Sequence, residues 1–271
     1  MIKLTDQEFA EFTQYVHKRY GINLARKRVL IEGRLSNTLV EMGLSNFKQY
    51  LELLKADQSG EQTIKLLNKI TTNHTFFMRE NNHFTFMEQH ALPFLEKNKK
   101  DHDLRIWSAG CSSGQEAYTI AMLLDTYFGN RKQLWDTKIL ATDISMAALE
   151  KGRAAIYPTD SLDAIPLDWR QKYFKDLNNG TVQLADRLKK EVIFRPFNLM
   201  DPFHFKKPFD LIFCRNVMIY FDEETKASLV NKFYQAAAPG SFLFVGHSEV
   251  INRQATNYRY IKPAIYQKGG E

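Results

Sequence analysis

Leu104-Arg105-Ile106-Trp107-Ser108-Ala109-Gly110-Cys111-Ser112-Ser113-Gly114-Gln115-Glu116 is the stretch whose reading decides the fold. A short apolar run ends in a loop of small residues, and a helical pattern opens at once, from about Gln115 to Phe128. This is a strand, a loop that lets backbone approach a ligand, and a helix N-terminus. The unit recurs. Lys138-Ile139-Leu140-Ala141-Thr142-Asp143 is a strand ending in an acid, and Ser145 to Arg153 follows as a helix. Asp210-Leu211-Ile212-Phe213 is a third strand. Asp222 caps a helix reaching about Ala238, with Glu223 and Glu224 at the positive end of its dipole. Pro239-Gly240 then turns into the strand Phe242 to Val245, and Tyr260 to Tyr266 is a terminal strand. Strands alternating with helices predict a mostly parallel sheet covered on both faces.

Two regions depart from this alternation. From about 157 to 195, Tyr173-Phe174, Thr181 to Leu184 and Val192 to Phe194 read as short strands, and Asn179-Gly180 as a two-residue hairpin turn. An inserted antiparallel β-subdomain is expected there. Residues 4 to about 71 are helical in pattern. Thr5 and Glu8 form a capping box ahead of Phe9, Phe12, Val16 and Tyr20, and Gly21 ends that helix. A second helix, from about Ala25 to Met42, turns Val29, Leu30, Leu35 and Leu39 inward. Ser45 caps a third, and a fourth begins near Gly60. This is a small all-α unit.

Composition bounds the setting. The 271 residues are 44% hydrophobic and 25% charged, ordinary for a globular chain. No apolar run approaches the roughly 20 residues that cross a bilayer. The start lacks an apolar signal core, and two cysteines make no framework, so a cytoplasmic, reduced protein without membrane insertion is expected. The net charge of +6 admits nucleic acid, an anionic membrane or an acidic protein as partner. The seven histidines show no metal-ligand spacing along the chain.

Ligands of an open α/β sheet lie beyond the carboxyl ends of its strands. The small-residue loop there matches neither G-x-G-x-x-G nor a P-loop, and Glu116 would repel a phosphate. Asp143 can accept hydrogen bonds from both hydroxyls of a ribose. A nucleoside without phosphate but with a charged tail describes S-adenosylmethionine. In Cys214-Arg215-Asn216-Val217-Met218-Ile219-Tyr220-Phe221, polar groups at the end of a buried strand must face a ligand or one another.

Taken together, the sequence resembles the chemotaxis receptor glutamate methyltransferase family, of CheR type. The resemblance covers nearly the whole chain. It rests on Thr71-Thr72-Asn73-His74-Thr75 with Arg79; Ile106 to Ala109 through Gly114-Gln115-Glu116; Ala141-Thr142-Asp143-Ile144; Asn198-Leu199; the Cys214 to Phe221 stretch; and Gly246-His247-Ser248-Glu249. Ala117 departs from the pattern, where many relatives have proline. The resemblance implies an α/β fold: a class I, Rossmann-like S-adenosylmethionine-dependent methyltransferase domain with a small antiparallel β-subdomain, preceded by an all-α N-terminal domain. It divides the chain into a helical receptor-docking domain at 1–72, a linker and helix at 73–97, and a methyltransferase domain at 98–271, with the subdomain at about 157–195.

The resemblance further implies a cofactor site of Asn73, Thr75, Arg79, Glu116, Asp143, Asn198, Leu199, Arg215 and Asn216. Arg79 and Tyr220 are the catalytic candidates, orienting a substrate carboxylate, and no metal is expected. The expected product beside the ester is S-adenosylhomocysteine. The basic cluster Arg26, Lys27, Arg28 and Arg34 is by default a solvated helix surface, and by resemblance a docking face for the acidic, helical cytoplasmic region of methyl-accepting receptors. Some relatives also hold a C-terminal receptor peptide on a sheet edge of the subdomain. The loop around Asn179-Gly180 is about three residues short for that, so no tethering peptide is expected. The rivals are a nucleic-acid methyltransferase and a non-catalytic cofactor-binding adaptor. An adenine amino-methyltransferase would carry an Asn/Asp-Pro-Pro-aromatic loop where Arg215-Asn216-Val217-Met218 stands, and a cytosine C5 enzyme a cysteine beside a proline, where Cys214 is followed by Arg215; nucleic acid is not expected as a partner. A monomer is expected. Cys111, Cys214 and His247 read as packing or loop residues.

Overall fold

A computed structural model describes residues 2–57, 60–71 and 74–269. Two compact units emerge: Met1–His74 with Tyr220–Thr225, and Thr75–Ile219 with Lys226–Glu271. The return of 220–225 to the first unit has no counterpart in a linear division of the sequence.

The first unit contains α1 (Asp6–Tyr20), α2 (Arg28–Glu41), α3 (Phe47–Ala56) and α4 (Glu61–Ile70). The Thr5/Glu8 capping box is formed, and Gly21 closes α1 with left-handed backbone. Asn46, not Ser45, caps α3, because its Oδ1 accepts from the Gln49 amide at 2.9 Å. In α2 the buried stripe is Ile31, Leu35 and Leu39. Val29 is 80% exposed, because at about 100° per residue it stands about 200° from Ile31, on the face opposite the buried stripe. Ile22 bridges to Phe221, and the His17 ring meets Asp222 at 2.6 Å, tying the returning segment to α1 and its exit.

The second unit begins with α5 (Asn82–Phe86), which runs through a π-helical turn at Met87–Ala91 into α6 (Leu92–Asn98). Then come β1 (Ile106–Ala109), α7 (Gln115–Phe128), β2 (Ile139–Asp143), α8 (Met146–Ala154), β3 (Ile156–Pro158), α9 (Leu167–Tyr173), β4 (Phe174–Asp176), β5 (Thr181–Leu184), α10 (Asp186–Lys189) and β6 (Val192–Pro196). The chain continues through β7 (Phe209–Cys214), α11 (Glu223–Ala236), β8 (Ala237–Val245), β9 (Arg259–Lys262) and β10 (Ile265–Gln267). The main sheet has the order β6-β2-β1-β7-β8-β10-β9. Its first five strands are parallel, and β10 and β9 are antiparallel. Strand order reverses at β1 and β7, and this switch point opens a crevice beyond their carboxyl ends.

Three expectations are corrected here. Val192–Pro196 pairs in parallel with β2 as an edge of the main sheet, so the small antiparallel sheet is β3-β5-β4. Both faces of a strand so short read alike, and only its partner decides its sheet. The terminal segment is a hairpin, β9 and β10, turning at Pro263-Ala264 rather than one strand. Pro239-Gly240 lies inside β8, where the register against β7 breaks between Phe209 and Leu211. A proline without an N–H and a glycine at φ 76° suit a bulge.

The sheet is anchored under β1 by Trp107, which has no exposed surface. Its ring contacts Phe197, Phe203, Phe205, Phe209 and Phe233, and its indole N–H donates to Thr142 Oγ1 at 2.9 Å. Trp107→Ala should cost about 3–5 kcal/mol. The check is urea unfolding followed by far-UV circular dichroism, and a loss under 1 kcal/mol would show that the aromatic cluster closes up without it.

Candidate active site

The crevice is lined by the loop after β1, the loop after β7 and the segment leading into α5. Gly110 takes φ 85°, and a Cβ there would overlap the Val217 side chain, so the first two loops touch only because this residue is glycine. Non-glycine residues carry the same left-handed backbone at Met78 (φ 59°), Glu80 (55°), Ser112 (50°) and Asn216 (60°). Backbone in this sparsely populated region persists only where surrounding contacts over-determine it.

Those contacts are charged. Arg215, at the end of β7, is buried with its guanidinium between two carboxylates: Nη1 donates to Glu116 Oε2 at 2.9 Å and Nη2 to Glu80 Oε2 at 3.2 Å. Nη2 also donates to the Arg79 carbonyl, and the guanidinium lies over the Phe84 ring. Glu116, in the first turn of α7, accepts from Ser108 Oγ at 2.7 Å. Glu80 further accepts from the Asn216 amide and the His247 backbone N–H, each at 3.3 Å. Burial pushes the Glu80 carboxyl up, but Arg215 and these donors outweigh it and hold the group below its ordinary 4.5.

A second carboxylate fixes the same turn from the other side. Glu249 is buried and accepts from the backbone N–H of Asn216 at 2.8 Å, Gly246 at 2.5 Å and Ile219 at 3.2 Å. A Cβ on Gly246 would stand 2.5 Å from Asn216 Nδ2 and 2.8 Å from Glu249 Oε2, which excludes any other residue there. Burial raises the Glu249 carboxyl above its ordinary value against the pull of these amides.

Asp143 ends β2 half-buried. Oδ2 accepts from the Ser112 N–H at 2.8 Å and Oδ1 from the Ser145 N–H at 2.9 Å. Burial raises this carboxyl too. With two acceptor sites used, about two lone-pair directions remain. Beyond β6, the Asn198 side chain accepts from the Met200 N–H at 3.0 Å, and the Leu199 carbonyl accepts from Lys232 Nζ at 2.7 Å.

The sequence-derived residues therefore fall into groups. Glu116, Arg215 and Asn216 are joined directly, Arg79 joins them through its carbonyl, and Asp143 is bonded to the loop after β1. Thr75 and the Arg79 side chain are half-buried, with the guanidinium 5.8 Å from the Phe76 ring centroid. Asn73 lies outside the described residues. Tyr220 belongs to the segment that groups with the first unit, where its carbonyl accepts from the Asn23 N–H at 2.7 Å. Arg26 and Lys27 are exposed, whereas Arg28 pairs with Asp6 at 2.6 Å and Arg34 donates to the Lys69 carbonyl at 2.9 Å. Burial raises both thiols, Cys111 and Cys214, far above the range of a nucleophile.

Sequence reasoning missed Glu80 and gave Glu249 no role. Each sits beside a residue that was singled out, Arg79 and Gly246. Glu80 carries no signal of its pairing in the sequence, since its buried partner Arg215 stands 135 positions away and only the fold brings them together.

An open sheet with its crevice at the β1/β7 switch point, and acids following β1 and β2, is the arrangement of a class I S-adenosylmethionine-dependent methyltransferase. Within that class, the chain belongs to the CheR methyltransferase family: the family's SAM-binding domain matches residues 73–266 and its all-alpha domain residues 7–71. It is 46% identical to the chemotaxis protein methyltransferase of Borreliella burgdorferi, over 98% of this chain and 96% of that protein. It is 37% identical to the one of Escherichia coli, over 98% and 92%, and 35% identical to the one of Vibrio parahaemolyticus, over 98% of each.

Because its folded pKa lies below the unfolded 4.5, Glu80 adds stability that is fully present above pH 4.5 and lost as pH falls through the folded value. Glu80→Gln should be about 1–3 kcal/mol less stable than wild type at pH 7, and the two should converge on acidification. Thermal melts across pH 3–7 check this (about one unit beyond the carboxylate range on each side); a gap that widens toward acid would show that Glu80 is not held ionised by Arg215.

Proposed function

We propose that the chain esterifies glutamate side chains in the helical cytoplasmic region of chemotaxis receptors, using S-adenosylmethionine, and thereby adjusts receptor signalling. The observation that carries the cofactor half is the pair Glu116 and Asp143, both hydrogen-bonded to β1 or the loop after it. An acid in the first turn of α7 disfavours phosphate and suits an ammonium, and Asp143 keeps acceptor capacity for ribose hydroxyls. That donor set fits S-adenosylmethionine. Glu116 would hold the methionyl ammonium, Asp143 the ribose, and the Asn198-Leu199 backbone the adenine edge. Asn73, Thr75, Arg215 and Asn216 would complete the site. The receptor half is supported by the names of the relatives.

The bound cofactor supplies a methyl group on a sulfonium. What the chain must do is modest. A glutamate of ordinary pKa, about 4.3, is already a carboxylate at neutral pH and needs no base. The chain therefore aligns the nucleophile and excludes water. Arg79 and Tyr220 would orient the incoming carboxylate, Arg79 as a positioning cation rather than an activator, since tight pairing would quench the nucleophile. Labelled methyl transferred to a receptor cytoplasmic fragment should be alkali-labile, as an ester is. Single-turnover rates should be flat from about pH 6 to 8. Label entering nucleic acid instead, or a steep rise near pH 7 at saturating substrate, defeats the proposal.

Docking is proposed to fall to the helical unit. Lys27 and Arg28 stand at the N-terminus of α2, whose first turn holds no acid. Cations there oppose the helix dipole, a local cost that an acidic partner would offset. Since Arg28 and Arg34 have internal partners, Arg26 and Lys27 are the better test. The loop between β4 and β5 is the four residues Leu177-Asn178-Asn179-Gly180, two longer than a two-residue turn, with Leu177 N–H bonded to the Thr181 carbonyl at 3.0 Å. So short a loop favours an enzyme that works without a tethering peptide. Arg26→Glu with Lys27→Glu should raise KM for receptor at least about threefold with kcat kept, and high salt should do the same to wild type. Truncating the receptor's C-terminal tail should change neither. A KM indifferent to charge reversal, or one that rises on truncation, would reverse the assignment.

A further inference from the structure

His83, in α5, has no exposed surface, and neither ring nitrogen has a hydrogen-bond partner. A buried imidazole with both nitrogens unserved requires an explanation. Its Nδ1 is 3.5 Å from Glu80 Oε2, and its ring meets that of His247 edge-on, with centroids 4.9 Å apart. His247 is exposed, in the loop after β8. Ligand-capable atoms of Glu80, His83 and His247 all lie within 4.8 Å of one another. Neither histidine is used by the methyl-transfer chemistry proposed above.

The chemistry of this set is specific. Both His83 ring nitrogens lack a partner within the chain, so a lone pair is open to a ligand. Around Arg215 the carboxylates of Glu80 and Glu116 outnumber the one guanidinium, leaving the cluster net anionic and receptive to a cation. Imidazole nitrogens and a carboxylate oxygen suit zinc-class ions, whereas Mg2+ and Ca2+ prefer all-oxygen sites. At bond lengths of about 2.1 Å, tetrahedral ligands stand about 3.4 Å apart. Glu80 and His83 already have that spacing, and the exposed His247 has only to close in.

We propose that Glu80, His83 and His247 form a binding site for a divalent zinc-class ion, and that its occupancy inhibits methyl transfer. The ion takes the Glu80 oxygen that now accepts from Arg215, which frees the Arg215-Asn216 turn from one of its three carboxylate clasps. The inhibitory half rests on the function proposed above; the binding half stands without it.

The test uses the full-length protein without cofactor, titrated with Co2+ and followed by its visible ligand-field absorption. One equivalent should develop the intense bands of a low-coordinate site, displaced by Zn2+ and abolished by a chelator. His247→Ala, at an exposed position that carries no folding burden, should weaken binding at least tenfold. His83→Phe should do likewise. Absence of ligand-field bands, or a His247→Ala titration matching wild type, overturns the site. One equivalent of Zn2+ should also slow methyl transfer severalfold in wild type and not in His247→Ala; equal slowing in both overturns the inhibitory half. If no methyl transfer occurs under any condition, the functional proposal has failed, while the Co2+ titration still decides the site.

Discussion

The crevice is organised around one buried cation. Arg215 leaves the central strand β7 at the switch point and is clasped by Glu116 from the first turn of α7 and Glu80 from the approach to α5. Three chain segments far apart in sequence are thereby held in register. Burying such a triad is poor value for stability alone, since the desolvation of three charges offsets most of their attraction. Its use is geometric. With Glu249 fastened to the amide of Asn216, it keeps a non-glycine residue in left-handed backbone at the point where the sheet meets its ligand.

This arrangement separates two kinds of carboxylate. Glu80 and Glu249 are spent on the protein's own donors. Glu116 and Asp143 are only partly spent, on Ser108 and Arg215 and on the amides of Ser112 and Ser145. Arg215 neutralises part of the charge of Glu80 and Glu116 within the folded chain, so both acids are fixed in place by an internal partner.

Much of this was legible in the sequence, for physical reasons. The central parallel strands β1 and β7 are runs buried on both faces, and helices open on recognisable caps, as at Ser145 and Asp222. The fold followed from that alternation, and the family from ordered motifs. What was not legible depends on partners distant in the chain. Val192–Pro196 looks like any short strand until β2 takes it. Pro239-Gly240 carries the letters of a turn and becomes a bulge because β7 continues alongside. Val29 is apolar in sequence yet lies off the face carried by Ile31, Leu35 and Leu39. Glu80, His83 and His247 have no spacing to notice, since 164 positions separate the two histidines and only the sheet brings them together.

The helical unit is not a simple N-terminal appendage. Residues 220–225 leave the sheet, bridge to Ile22 through Phe221, pair with His17 through Asp222, and then return as the start of α11. The chain thus visits its first unit twice. A cut near residue 74 would yield a helical fragment missing one of its own pieces, and a remainder carrying that piece with nothing to receive it. The same restriction applies to exchange between relatives: a helical segment swapped in alone would lack the six-residue loop it pairs with, so the two pieces have to change together.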